Sequence, residues 1–186
     1  MAESRQQARL LWIDLEMTGL DPVRDKIIEV GAIATDFDFH QVADYQASVK
    51  VSPELMRRRM VGKFWEEHDI TRQALMERSS SAEALPTSQV ENRLVDFIKQ
   101  YFVPDQPVYL AGNSIHQDRK FIEREWRELD KLLHYRMLDV SAWKILFEER
   151  GVAFHKPELH RAMSDIEGSI AELKYYLKRV KFDERE

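Results

Sequence analysis

Leu10-Leu11-Trp12-Ile13-Asp14-Leu15-Glu16-Met17-Thr18-Gly19 is the stretch that decides the reading of this chain. Leu10 to Met17 is apolar, contains an aromatic residue and stops at Thr18-Gly19, which is the pattern of a buried β-strand. Two acids interrupt it. Side chains at i and i+2 of a strand share a face, so Asp14 and Glu16 leave the strand on the same side. Carboxylates that close repel and shift each other's pKa. A divalent metal offsets them economically, because hard cations take carboxylate oxygens. A strand at a sheet edge can also alternate polar and apolar residues with no function, so the metal reading needs partners elsewhere in the chain.

Lys26 to Asp36 alternates loosely and is expected to form a second strand, and Ala43 to Val51 a third. With the first they make an antiparallel meander. Pro53 to Leu75 is charged and mostly helix-forming. Ser79-Ser80-Ser81 through Pro86 is expected to be a loop. Thr87 or Ser88 then caps a helix whose core stripe is Val90, Leu94, Phe97, Ile98 and Tyr101. Val108 to Ala111 is a short buried strand. Asn113 or Ser114 can cap the next helix, which carries Phe121, Ile122 and Trp126. Arg136 to Leu138 is another short strand, and Ser141 caps a helix to about Glu149. Gly151 to Glu158 is a loop. A final helix runs from about Ala162 to Lys178, with Met163, Ile166, Ile170, Leu173 and Leu177 at spacings of three and four. Three opening strands followed by alternating strand and helix predict an α/β layered domain with a mixed sheet.

A chain of 186 residues fits one domain and needs no covalent staple. Cysteine is absent, which excludes disulfides, zinc–thiolate sites and thiol nucleophiles. Met1 to Arg9 lacks the apolar core of a signal peptide, and no apolar run approaches membrane-spanning length. A soluble, cytoplasmic protein is expected. The net charge of −5 argues against coating long nucleic acid by charge alone. It does not argue against a nuclease, whose clustered acids lower the net charge and whose bound metals return positive charge locally. Basic residues cluster at Arg119, Lys120, Arg124, Arg127, Lys131 and Arg136, mostly as a solvated helix face.

Asp118 falls in the first turn of a helix, where the macrodipole alone favours an acid. His160 and Asp165 are the second candidate pair. On one continuous helix, five residues would place them about 140° apart, so His160 is expected just before the helix. Asp165, next to the apolar Ile166, can face a cleft at the sheet. Each acid has an ordinary explanation when taken singly. Together they supply what two-metal phosphoryl chemistry needs: carboxylates for two cations that clamp the attacking water and the leaving oxygen, and a histidine to take the water's proton. No phosphate-binding glycine loop, dinucleotide-binding turn or nucleophile elbow is present.

Four segments carry a resemblance: Trp12-Ile-Asp14-Leu-Glu16-Met-Thr-Gly19-Leu20, Gly112-Asn-Ser-Ile-His-Gln-Asp118-Arg, His134-Tyr-Arg-Met-Leu-Asp139-Val-Ser141 and His160-Arg-Ala-Met-Ser-Asp165-Ile. They resemble the motifs of the oligoribonucleases, DEDD exonucleases of the histidine type with a ribonuclease H-like fold. The likeness runs from about Ala8 to Phe182, which makes residues 1–8 a polar extension and 9–182 a single exonuclease domain. It implies a 3′-to-5′ exoribonuclease that finishes RNA decay by cleaving very short oligonucleotides, above all dinucleotides. By motif position, Asp14, Glu16, Asp118 and Asp165 would hold two Mg²⁺ or Mn²⁺ ions, and His160 would be the general base. Ser114, Arg136 and Ser141 match positions that cap a 5′ phosphate, as a guanidinium and two hydroxyls can. Tyr135 matches a residue that reaches across a homodimer interface. Leu20 and Trp65 match positions that flank the bases, where an apolar wedge and an indole suit sequence-tolerant stacking. Residues 52–75 depart from the family pattern. Trp65-Glu-Glu-His68-Asp-Ile-Thr-Arg-Gln-Ala-Leu75 has a shifted histidine and lacks the family's Ser-Gly. The rivals are a broader exonuclease of the same superfamily, separable by length selectivity, and a non-catalytic nucleotide-binding module, separable by metal-dependent turnover.

Overall fold

In a computed structural model, which describes residues 7–155 and 161–181, three strands open the chain: β1 (Leu10–Met17), β2 (Ile27–Thr35) and β3 (Gln41–Ser48). Helices α1 (Pro53–Arg59), α2 (Lys63–Glu67), α3 (Asp69–Ser80) and α4 (Thr87–Tyr101) come next. The chain continues with β4 (Val108–Gly112), α5 (His116–Glu125), α6 (Arg127–Asp130), β5 (Leu133–Asp139), α7 (Val140–Glu148) and α8 (Ala162–Leu177). The strands form one mixed sheet in the order β3-β2-β1-β4-β5. β1, β2 and β3 pair antiparallel as the expected meander, while β4 lies parallel to β1 and β5 parallel to β4.

The alternation in β1 sorts its residues onto two faces. Leu11, Ile13 and Leu15 join the larger core with Val90, Leu94, Phe97 and Ile98 of α4, and Phe121 and Ile122 of α5. Leu10 and Trp12 point the other way and pack with Val140 of α7 and Ile166 and Leu173 of α8. Each such buried aliphatic side chain contributes about 1.5–3 kcal/mol. Asp14 and Glu16 continue the Leu10–Trp12 side, so they leave the sheet on the face that α8 covers. Gly31, paired with Asp14 across the β1–β2 ladder, lets α8 approach. A Cβ there would lie 2.9 Å from the Ala162 Cβ.

Several local expectations are corrected. The third strand ends at Ser48, and Val49 instead bridges to Leu85. The helical stretch expected from Pro53 to Leu75 divides into α1, α2 and α3. Ser52 caps α1, its hydroxyl accepting from the Leu55 amide. Ser79 and Ser80 are helical, not looped. The buried Ser79 hydroxyl donates to the Val49 carbonyl at 2.6 Å and accepts from the Val51 amide at 3.2 Å, which offsets its weak helix propensity. Neither Thr87 nor Ser88 caps α4; Pro86 holds that position, and the Thr87 hydroxyl accepts from the Trp126 indole. The fifth strand spans Leu133 to Asp139, longer than expected. Most of the expected polar extension and the end of the expected Gly151–Glu158 loop lie outside the described residues. No helix of the described residues is long and apolar enough to cross a membrane.

Candidate active site

The carboxylates gather at the carboxyl end of β1, where the parallel strands β1, β4 and β5 all terminate and open sheets characteristically leave a crevice. One oxygen each of Asp14, Glu16 and Asp165 lie within 4.8 Å of one another. Asp165 arrives from the first turn of α8. Its Oδ2 also accepts from the amide of the cap residue Arg161 at 2.9 Å, so it anchors the start of the helix as well as facing the cleft. Asp118 comes from the first turn of α5. The β1–β4 ladder ends at Trp12 and Ala111, and beyond it the Asp118 Oδ1 accepts from the Leu15 amide at 3.0 Å. Asp118 is thereby held beside the three-carboxylate cluster rather than within it. His160 lies outside the described residues.

Burial first, then the charges of Glu29, Asp165 and Asp118, push Glu16 up from 4.5 to about 8, against a smaller pull from Arg78. Burial likewise raises Asp118 from 3.8 to about 7, with Asp139 adding to it and the Leu15 amide opposing. Glu29 belongs to this electrostatic setting although no motif marks it. It sits directly across from Glu16 on β2, buried, and receives the Arg78 Nε at 2.9 Å. A lone acid in the apolar run Ile27-Ile-Glu29-Val-Gly-Ala-Ile is the signal that could reveal it in the sequence. The cluster fits a divalent cation on the chemistry of its donors: three hard carboxylate oxygens that converge, one of them on the buried Glu16.

A cavity of about 380 Å³ contains the cluster, lined by Asp14, Glu16 and Asp165 together with Ser114, Ser141 and Lys144. The two serines meet because Ser114 adopts a left-handed conformation, φ 48°, between β4 and α5. Its amide donates to the Asp139 Oδ1 at 3.0 Å and to the Ser141 Oγ at 2.8 Å. Neither Asn113 nor Ser114 therefore caps α5, whose cap position is Ile115. Nor does Ser141 cap α7; Asp139 does, accepting from the Ser141 amide. The Asn113 amide group spans Ser141 on one side and Ser169 and Glu172 on the other, which ties the serine pair to α8. Arg136 does not line this cavity; its guanidinium lies over the Tyr135 ring at 5.3 Å, and among the described residues Lys144 is the lining cation. Tyr135 is 72% exposed rather than packed in its own core.

A second cavity, about 310 Å³, adjoins the first at Leu15 and Glu16 and is walled by Gly19, Leu20, Arg59, Val61, Phe64 and Trp65. Leu20 is 70% exposed above it. Trp65 lines it but is only 7% exposed, packed with Ile28, Met56, Met60 and Leu75. The ring most open to the cleft is its neighbour Phe64, 50% exposed and set edge-on to Trp65 at 5.0 Å.

A mixed five-stranded sheet flanked by helices, with carboxylates converging at its central strand, is the architecture of an exonuclease domain with a ribonuclease H-like fold. The exonuclease family model matches residues 11–173. An oligoribonuclease of Francisella tularensis is 39% identical over 173 residues, covering 92% of this chain and 95% of the relative. One of Thiobacillus denitrificans is 39% identical over 171 residues, covering 90% and 92%. The chain belongs to the oligoribonucleases of the exonuclease family. Exonuclease I of E. coli, in its zinc-bound complex with single-stranded DNA, shares the fold at a TM-score of 0.66 and 17% identity. That likeness covers 94% of this chain and 41% of the other.

Proposed function

We propose that the protein is a 3′-to-5′ exoribonuclease that hydrolyses very short oligoribonucleotides, dinucleotides above all, to mononucleotides. The observation that carries the reading is the pair of cavities meeting at Glu16, one bordered by hydroxyls and a cation, the other apolar. A dinucleotide has that sequence of parts: a 5′ phosphate for Ser114, Ser141 and Lys144, a scissile phosphate over the carboxylates, and a terminal base against Leu20 and Phe64.

Asp14, Glu16 and Asp165, with Asp118 beside them, would hold two divalent cations, Mg²⁺ or Mn²⁺. Bound there, such ions supply Lewis-acid activation of the attacking water and charge neutralisation at the leaving oxygen. The chain's own residues do the rest. The Leu15 amide fixes the orientation of Asp118. The Ser114 hydroxyl, 3.2 Å from the Ser141 hydroxyl that donates to Asn113, offers a donor to a terminal phosphate. His160, which in sequence immediately precedes the α8 cap residue Arg161, takes the water's proton. Homodimer formation is supported by exposed apolar residues on β5 and the adjacent α7: Tyr135, Ile145 and Leu146.

The test is Mg²⁺- or Mn²⁺-dependent cleavage of 5′-labelled RNA, comparing a two-mer with a twenty-mer. Faster loss of the two-mer is expected. Stepwise trimming of the twenty-mer with no preference for the short chain would leave a general exonuclease in its place.

A further inference from the structure

The two walls of the apolar cleft come from distant parts of the chain and meet on one buried ion pair. Asp25 is 1% exposed. Its carboxylate receives the Arg59 Nε at 2.7 Å and Nη2 at 3.0 Å, a bidentate fork. The same carboxylate accepts from the Thr18 hydroxyl and the Asp21 amide, each at 3.0 Å, and the Thr18 hydroxyl in turn accepts from the Lys26 amide. Gly19 is packed so tightly on this group that a Cβ would lie 2.6 Å from the Asp25 Oδ2. The turn that carries Leu20 is therefore moulded around Asp25.

Arg59 is the last residue of α1, and the chain leads from it through Met60 directly to Val61 and Phe64. Arg59 itself lines the cleft. Burial works against charge on Asp25, but the Arg59 guanidinium, the Asp21 amide and the Thr18 hydroxyl outweigh it and hold the carboxyl below its usual range. The pair is thus ionised, desolvated on the Asp25 side and geometrically specified. Arg59, though not Asp25, falls within residues 52–75, where the sequence departs from the family pattern.

We propose that the Asp25–Arg59 pair is a clasp that sets the separation of the Leu20 wall from the Val61–Phe64 wall, and so controls the grip on the substrate's terminal base. This rests on the assignment of the cleft to that base. Asp25 and Arg59 are positioning residues: they act through the walls, and the chemistry at the carboxylates proceeds without them. A guanidinium is required rather than any cation, because an ammonium cannot engage both carboxylate oxygens in a planar fork.

The test uses the full chain with Mn²⁺ and two dinucleotides, one with a purine at the 3′ residue and one abasic there. The variants are Arg59→Lys, Arg59→Met and Asp25→Asn, each checked by circular dichroism. The wild type is expected to favour the purine substrate through KM. In Arg59→Met and Arg59→Lys, KM for the purine substrate should rise about tenfold, the scale of a weakened base stack, with kcat little changed. The abasic substrate, which has nothing for the walls to hold, should show a KM within about twofold of wild type. A merely structural defect would impair both substrates together, so the ratio between them is the readout. Arg59→Lys keeps a charge beside Asp25 and carries the experiment if Asp25→Asn or Arg59→Met fails to fold. Equal losses on both substrates, or none on either, would overturn the clasp while leaving the cleft assigned. A wild type indifferent to the missing base would overturn the cleft assignment, and the clasp with it.

Discussion

Replacing Glu16 by Gln keeps the side chain's shape and removes its charge, and the burial of Glu16 among other carboxylates sets the outcome in the metal-free protein. Its folded pKa is raised from 4.5 to about 8. A raised folded pKa means that the folded state holds the proton more tightly than the unfolded chain. The stability this supplies is fully present below pH about 4.5 and is lost as pH rises toward about 8, beyond which the loss is constant. At about 1.4 kcal/mol per unit, the whole shift sets a ceiling of about 5 kcal/mol. Burial is the largest cause of the shift, and a buried glutamine amide is itself desolvated, so the expected advantage of Glu16→Gln is about 2–3 kcal/mol above pH about 8. Below pH about 4.5 the advantage should vanish. The assay is urea unfolding in the presence of a chelator at pH values of about 4.5, 6.5 and 8.5, which bracket the titration. Added Mg²⁺ should then reverse the ranking at the most alkaline point, because only the native carboxylate set gains stability by binding the ion. An advantage independent of pH, or a wild type no less stable at the alkaline end than at the acid end, would refute the argument that like charge and burial dominate the site.

Asp118→Asn retains an acceptor for the Leu15 amide, so folding should be unchanged, while turnover should fall by more than the roughly 100-fold that loss of an outer partner costs, because Asp118 is assigned to holding the cations. Single-turnover kinetics and circular dichroism check both halves. Ser141→Ala should slow cleavage of 5′-phosphorylated two-mers by about tenfold and of twenty-mers much less, since only the former present a terminal phosphate at that side of the cavity; equal effects would remove the serine pair from substrate capture. Gly31→Val places new atoms where a Cβ alone would already lie 2.9 Å from Ala162, and should cost about 1–3 kcal/mol of stability in thermal melts and weaken Mn²⁺ binding by shifting Asp165. Ile145→Glu should give a monomer in analytical ultracentrifugation if the exposed face of α7 joins two copies; an unchanged sedimentation coefficient would move the interface elsewhere.

The parts of the site governed by strict periodicity are legible in the sequence. Asp14 and Glu16 share a face because a strand repeats every two residues, and α8 begins at Ala162 because its apolar stripe and Asp165 announce it. The helix caps are not legible in the same way. Thr87, Ser114 and Ser141 have the right chemistry for capping, yet each hydroxyl or amide is engaged by a distant partner: Trp126, Asp139 and Asn113. Local propensity yields whenever a tertiary partner satisfies the same group. Ser79 is another such case, since a hydroxyl that suggests a loop is drawn into a helix by Val49. Trp65 matches a stacking position by motif, but the core formed by Met56, Met60 and Leu75 buries the larger ring and leaves Phe64 outside. The Asp25–Arg59 pair leaves no periodic trace, because its partners are 34 residues apart and belong to no repeating pattern.

The position of β1 in the sheet bears on how the protein fails. It is the central strand, hydrogen-bonded on one side to β2 and on the other to β4, and covered on both faces. Backbone amides in such a strand exchange with solvent only through near-global opening. Asp14 and Glu16 therefore ride on the last segment to open, whereas Leu20, Val61 and Phe64 stand on short segments at the periphery. On warming, substrate affinity should weaken before the cation-binding carboxylates disperse. The enzyme would pass through a range of temperature in which it can still cleave what it can no longer hold well.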